Sequence, residues 1–389
     1  MISAEKGKLN KHNKLARPND IPEWAISGTD CNTIKLFAEE VIGALSKDYK
    51  VAYADAEHAN EEGLNYPSAR IRKGGFAEYT LNNSLNQLTF NKESADFSFR
   101  EYFSKADIIL INGNHFNGSA QILVIDKKKI ESLRKKTSKL SNVELILIKE
   151  EVEIFDFLHE VIPNILSIPT FSLSDINNII KFFKERLAAN KPVINGLILA
   201  GGKSIRLGID KTNIKWHNQN QRSYLFELLS EYCTKTFISE SKESLNSEGF
   251  PIIVDSFTGL GPYGAILSAF REHPSVAWLV IACDLPLFDK KAVAYLIQQR
   301  NPAAIATAYE SPRDGSPEPL AAIWEPKSYP ILLSYLAKGY SCPRKVLIKS
   351  DVNLIKPILP ESLKNVNTPE DFNEVKELIK NKVSESNGR

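Results

Sequence analysis

Arg206 and Lys211 lie five positions apart, just after the paired glycines Gly201 and Gly202. Those glycines close an apolar run, Val193 to Leu199, through Ala200. Two fixed cations at this spacing can neutralise the negative charge that develops on a transferring phosphoryl group. Backbone N–H groups at Gly201, Gly202 and Lys203 can approach a polyphosphate because the glycines carry no Cβ. The P-loop spacing, four residues between Gly and Gly-Lys-Ser/Thr, is not met, so a different phosphate-handling turn is expected. The next chemically loaded residue is Asp284, in Trp278-Leu-Val-Ile-Ala-Cys-Asp-Leu-Pro-Leu287. A carboxylate ending a buried strand offers the hard oxygen that Mg²⁺ takes alongside waters and substrate phosphates. Asp284 also reads as a helix N-cap, and Cys283 as a small buried hydrophobe rather than a nucleophile. The third cluster, Asp255-Ser-Phe-Thr-Gly-Leu-Gly-Pro-Tyr-Gly264, holds Gly259, Gly261, Pro262 and Gly264. It predicts a rigid turn, either a plain surface turn or one that brings backbone close to a ligand.

These residues need a scaffold, and the pattern from about Lys191 onward supplies one. Short apolar runs at Val193–Leu199, Lys235–Ser239, Pro251–Val254, Ala277–Ala282, Ala303–Ala308 and Leu320–Trp324 read as strands. Helical patterns at Tyr224–Tyr232, Gly264–Glu272 and Lys291–Gln299 alternate with them. That alternation predicts an α/β domain with a mostly parallel sheet and helices on both faces. Ligands in such sheets sit beyond the carboxyl ends of the strands, where Gly201-Gly202 and Asp284 fall.

The N-terminal part alternates in the same way. Trp24–Ser27, Lys50–Ala54, Asp107–Ile111, Gln121–Ile125 and Glu144–Lys149 read as strands. Thr33–Leu45, Lys127–Lys136, Val152–Val161 and Ser174–Ala188 read as helices, the last capped by Ser172 or Ser174. Ile26-Ser-Gly-Thr-Asp-Cys-Asn-Thr-Ile-Lys35 lies between strand and helix, where a P-loop would lie. Thr33, Ile34 and Lys35 stand where Gly, Lys and Ser/Thr are required, so nucleotide hydrolysis is not expected here. His58 and His115 fall near strand ends, and Lys127–Lys136 reads as a solvated helix face, with an anionic partner as the alternative.

Length and charge bound the rest. With 389 residues the chain can bury two cores, divided as a flexible leader (1–20), domains at 21–190 and 193–380, and a tail (381–389). A net charge of +2 points to neither nucleic acid nor a membrane surface as partner. The longest purely apolar run, Val276 to Cys283, is far too short to span a bilayer. Four scattered cysteines, Cys31, Cys233, Cys283 and Cys342, fit no disulfide framework, and a cytoplasmic location is expected.

Leu199-Ala-Gly-Gly-Lys-Ser-Ile-Arg-Leu-Gly-Ile-Asp-Lys211 closely resembles the signature of MobA-like nucleotidyltransferases, with Leu207 where Met is common. Three further segments fit the same family in collinear order. These are the Asp255–Gly264 turn (Tyr263 departing from Leu), Asp314-Gly-Ser-Pro-Glu-Pro-Leu-Ala-Ala-Ile-Trp324, and Asn365-Val-Asn-Thr-Pro-Glu-Asp371. The resemblance implies a Rossmann-like nucleotidyltransferase that moves GMP from GTP onto molybdenum-bound molybdopterin with Mg²⁺, releasing pyrophosphate. It implies catalytic roles for Arg206 and Lys211, and a nucleotide site of Leu199, Ala200, Gly201, Gly202, Lys203, Lys211, Asp255 and Asp284. Asp284 would hold the metal, while Gly261, Pro262, Glu318 and Asn367 would lie on the acceptor side or behind the direct ligands. Thr368, with Pro369 following, also reads as the cap of a last helix. Implied partners are GTP, the molybdopterin-type cofactor, and molybdoenzymes or cofactor-synthesis proteins. A cytidylyltransferase, a transferase with another phosphorylated acceptor, and a non-catalytic cofactor-delivery protein are the alternatives. The N-terminal domain faintly resembles the MobB-like P-loop adaptors, in which a strand ending in Glu-Gly stands where Ala106-Asp-Ile-Ile-Leu-Ile-Asn-Gly-Asn-His115 stands here.

Overall fold

The computed structural model describes residues 21–56, 77–82, 85–90, 102–103, 106–200, 216, 219–241, 249–366 and 368–387. The chain divides into two compact units, with Ile21–Ala189 forming one and the chain from Asn190 onward forming the body of the other.

In the first unit, β1 (Glu23–Ser27), β2 (Val51–Ala54), β5 (Ile108–Asn112), β6 (Ala120–Ile125), β7 (Val143–Ile148) and β8 (Thr170–Ser172) form a parallel sheet. Its order is β2-β5-β1-β6-β7-β8, and β3 (Ala77–Asn82) pairs with β4 (Leu85–Phe90) as a separate antiparallel hairpin. Every residue of β5 and β6 is buried, as expected when both faces of a parallel sheet are covered. α1 (Cys31–Leu45) buries Ile34, Phe37, Ala38, Val41 and Leu45, one stripe at helical spacing. That stripe packs with Trp24 and with Phe182 and Phe183 of α4 (Ile176–Ala189). Trp24 meets Phe183 edge-on, with ring centroids 5.1 Å apart.

Several local expectations change. The basic helix expected at 127–136 is broken into a 3₁₀ turn (Lys127–Lys129), α2 (Ile130–Lys135) and a second 3₁₀ turn (Thr137–Lys139). Asp126 caps the first turn by accepting from Lys128 N, and Leu133 is the one fully buried apolar side chain of α2. Asp126 fixes a tighter turn at Lys127 and the chain tightens again at Thr137, so no single helix runs through the segment. α3 covers only Asp156–Val161, after a left-handed Glu150 (φ 64°). Asp175 caps α4, accepting from Asn178 N, while Ser172 and Ser174 bond to each other.

The second unit is a seven-stranded sheet of order β11-β10-β9-β12-β14-β13-β15. Its strands are β9 (Ile194–Leu199), β10 (Thr236–Glu240), β11 (Ile252–Val254), β12 (Ala277–Ala282), β13 (Ala306–Glu310), β14 (Pro317–Trp324) and β15 (Val352–Ile355). Only β14 runs antiparallel to its neighbours. α6 (Pro262–Glu272) and α8 (Ser328–Ala337) help bury one face, around Trp278 and Trp324. α5 (Gln221–Ser230) and α7 (Lys290–Gln298) cover the other, around Leu279, Ile281 and Phe288. α9 (Pro343–Ile348) lies against β14, and α10 (Pro369–Asn387) closes the chain. A reciprocal capping box opens α10: Asp371 N donates to Thr368 Oγ1 and Thr368 N to Asp371 Oδ2. Among the described residues, no helix is long and apolar enough to cross a membrane.

Candidate active site

The edge formed by the carboxyl ends of β11, β10, β9 and β12 gathers the site. Leu199 ends β9, and its carbonyl accepts from Cys283 N at 3.2 Å, so Ala200 and Cys283 leave the sheet side by side. Asp284 follows directly. It is not a helix cap, because Asp289 caps α7 by accepting from Ala292 N at 3.0 Å. The carbonyl of Asp284 instead accepts from Val366 N at 3.0 Å, which ties the C-terminal segment to this edge. Asn367, one residue on, lies outside the described residues, as do Gly201, Gly202, Lys203, Arg206 and Lys211.

Because β14 is antiparallel to β12, its first residues return to the same edge. Glu318 sits there, with Arg344 Nη2 at 2.7 Å from its Oε2. Burial pushes the Glu318 carboxyl up, Arg344 opposes this, and the charge of Asp284 adds to the rise. Asp284 and Glu318 are therefore close enough to repel, a pairing that a shared cation or a proton relieves. Sequence reasoning missed Arg344. Its one local signal is Pro343 at the first position of α9, since its partner is 26 residues away.

Asp255 follows β11 and accepts from Ser239 Oγ at 2.7 Å, and burial pushes its pKa up. The loop after Asp255 is pinned by buried Ser268, whose Oγ accepts from Ser256 N (2.9 Å) and Phe257 N (3.2 Å) and donates to Gly264 O (2.6 Å). Gly261 caps α6 with φ 54°, Pro262 occupies its first turn, and Tyr263 is fully buried, donating to Leu332 O. A Cβ at Gly264 would meet Phe257 O at 2.0 Å, whereas one at Gly261 would meet nothing within 4 Å. Gly264→Ala should therefore cost about 1–3 kcal/mol through forced movement of the loop. Gly261→Ala should cost about 1–3 kcal/mol, from a backbone conformation (φ 54°, ψ −138°) that side chains rarely adopt. Thermal unfolding of the two variants gives the ranking.

The P-loop-like turn of the first unit is occupied by the chain's own charges. Asp30 caps α1, accepting from Thr33 N at 2.9 Å, and so places a carboxylate where a phosphate would meet a helix N-terminus. Lys149 Nζ lies 3.3 Å from Asp30 Oδ2, 3.0 Å from Asp126 Oδ2 and 3.0 Å from Thr33 Oγ1. The Thr33 backbone hydrogen bond, with the Thr33 hydroxyl and Lys149, outweighs partial burial and holds the Asp30 carboxyl well below the usual carboxylate range. A depressed folded-state pKa gives stability that is present above the unfolded value, near 4, and lost as pH falls through the folded one. Asp30→Asn should accordingly flatten the acid-side loss of amide exchange protection in α1, below about pH 4. His115 does not enter this cluster; its Nε2 lies 3.4 Å from Cys31 Sγ and 3.6 Å from Asp55 Oδ1. His58 lies outside the described residues.

Residues 196–352 match the MobA-like NTP transferase domain. A curated relative from Synechocystis, called a molybdenum cofactor biosynthesis bifunctional protein, is 36% identical over 183 residues, which cover 46% of this chain and 53% of that protein. The chain thus spans about half the length of that relative. A "Probable molybdenum cofactor guanylyltransferase" of Bacillus subtilis is 28% identical over 184 residues, covering 45% of this chain and 91% of the relative. Among solved structures, molybdopterin-guanine dinucleotide biosynthesis protein A of Archaeoglobus fulgidus aligns at 20% identity and a TM-score of 0.42, covering 48% of this chain and 99% of its own. A MobB protein homolog of Bacillus stearothermophilus aligns at 16% identity and a TM-score of 0.31, covering 43% and 98%. The strand-edge aspartates Asp255 and Asp284 both fall within residues 196–352, the segment that matches the MobA-like NTP transferase domain.

Proposed function

We propose that the C-terminal half transfers GMP from GTP to a molybdopterin-type cofactor, with Mg²⁺ bound, and releases pyrophosphate. The observation that carries this reading is the meeting of Asp284 and Glu318, from adjacent strands, on the edge where β9 ends at Leu199, with Asp255 further along the same edge after β11. The relatives' descriptions name guanylyl transfer and the molybdenum cofactor, from which we take GTP as the donor.

The donor set fits Mg²⁺, which takes one or two carboxylates and completes its shell with water and substrate phosphates. Among the described residues no cluster of three or more His, Cys, Asp or Glu side chains could hold a metal alone. Asp284 would hold it, with Glu318 beside it and steadied by Arg344. Bound there, Mg²⁺ would offset negative charge on the phosphates. The chain's part is positioning and charge neutralisation. A phosphate oxygen of the acceptor attacks the α-phosphorus in line, pyrophosphate departs, and no protein nucleophile takes part. Backbone at Gly201, Gly202 and Lys203 would hold the nucleotide, and Arg206 and Lys211 would neutralise the departing pyrophosphate. The Asp255–Pro262 turn and Asn367 would shape the acceptor side. We place this chemistry in the cytoplasm, in keeping with the four free cysteines.

The test is pyrophosphate release by the full chain. It should require both Mg²⁺ and the acceptor, and GTP should compete better than CTP or ATP. Preference for CTP would make the protein a cytidylyltransferase. No release with any nucleotide would favour a delivery protein.

A further inference from the structure

β5 and β6 lie on either side of β1, all three parallel, yet only residues 113–119 connect them. A helical crossover needs about a dozen residues or more, so this connection crosses β1 without a helix. Glycines let it lie close: a Cβ at Gly113 would meet Ile26 O at 2.7 Å, and one at Gly118 would meet Ala25 N at 2.9 Å. Beside it is a small cavity, about 50 Å³, that opens to solvent. Ser27, Gly28 and Asn114 line one part of it, and Lys129, Lys136 and Lys139 another.

Two observations give the cavity its chemistry. Lys127–Lys139 holds six lysines and Arg134 against one acid, Glu131. None of the three lining lysines has a side-chain hydrogen bond or ion-pair partner among the described residues, whereas Lys149 is paired with two aspartates. Ser27 Oγ, at the end of β1, is buried with no hydrogen-bond partner. Three uncompensated cations around a polar hollow raise the local concentration of anions, and Lys binds phosphate as a point charge. The neighbouring helix N-terminus is unavailable, because Asp30 and Lys149 already satisfy it.

We propose that this cavity is a binding site for the dianionic phosphate group of a small phosphorylated compound. It lies in the first unit and does not depend on the transferase reading. The ligand's phosphate sits among Lys129, Lys136 and Lys139, displaced from the position a P-loop would use. The basic run Lys127–Lys136 that reads in the sequence as a solvated face is, at Lys129 and Lys136, the wall of a site, which Lys139 just beyond it completes.

The test is calorimetric titration of the full chain with inorganic phosphate at low ionic strength and in EDTA. The triple variant Lys129→Gln/Lys136→Gln/Lys139→Gln should weaken binding by about tenfold or more. Lys127→Gln/Lys128→Gln/Lys135→Gln removes the same charge outside the lining and should change it by less than about twofold. Ser27→Ala, neutral in charge, should weaken it by about threefold. Equal losses in the two triple variants would overturn the proposal by showing a diffuse surface field. So would duplex DNA binding that both triples weaken while phosphate itself does not bind.

Discussion

Asp284→Asn should lower kcat for pyrophosphate release by on the order of 10²–10³-fold, the range for removing one preorganised charge-stabilising group. The substitution keeps shape and removes charge. Asp289, not Asp284, caps α7, and the Asp284 contact to Val366 runs through its backbone carbonyl, so both survive the change. Thermal stability should stay within about 1 kcal/mol of the parent, as for most substitutions that leave no cavity or buried charge behind. Removing the negative charge also relieves Glu318, whose raised pKa should fall. Asp289→Asn serves as the control, since Asn caps helices about as well as Asp. Lys211→Ala should likewise act mainly on kcat. Steady-state assays paired with melting curves separate chemistry from folding. An Asp284→Asn enzyme turning over like its parent would remove this residue from the metal role.

Arg300→Met should destabilise the second unit by about 3–5 kcal/mol, the cost of stripping one partner from a buried ion pair. Arg300 Nε and Nη2 donate to Glu325 Oε1 and Oε2 at 2.6 and 2.8 Å, a bidentate fork. The side chains are 4% and 1% exposed, so the carboxylate left behind has no water to replace the guanidinium. At roughly 2–4 °C per kcal/mol for a domain of this size, the melting temperature should fall by about 10 °C or more. Arg300→Met/Glu325→Leu should recover most of the loss, because removing both charges leaves an apolar pair of similar volume. A double variant no more stable than the single would show that the fork's geometry, rather than the orphaned charge, carries the effect.

The strands legible in the sequence were short runs dominated by apolar residues. β12 was read at its observed ends, Ala277–Ala282, and β9, β5 and β6 were read to within one residue at each end. β8, with only Phe171 facing a core, and the hairpin β3–β4 gave no comparable run. β15 was missed because Val352–Ile355 is four residues long and interrupted by Asn353, and its pairing with β13 supplies what so short a run does not. The Lys127–Lys136 helix was misjudged because periodicity does not register the tighter turn that Asp126 starts.

The chain's own residue order determined which groups can handle phosphate and metal: glycines after a strand, two cations in register, and carboxylates at strand ends. It also determined that the N-terminal turn lacks the residues of a working P-loop, since each missing group is missing by type. Tertiary structure alone decided which distant groups meet. Glu318 reaches the edge of Asp284 because β14 runs antiparallel. Arg344 then holds Glu318 across 26 residues. Lys149 comes to Asp30 across 119 residues because β7 and β1 both flank β6. Local sequence encodes residue chemistry and backbone propensity, but strand direction and order are set by burying both sheet faces at once, which no short window contains.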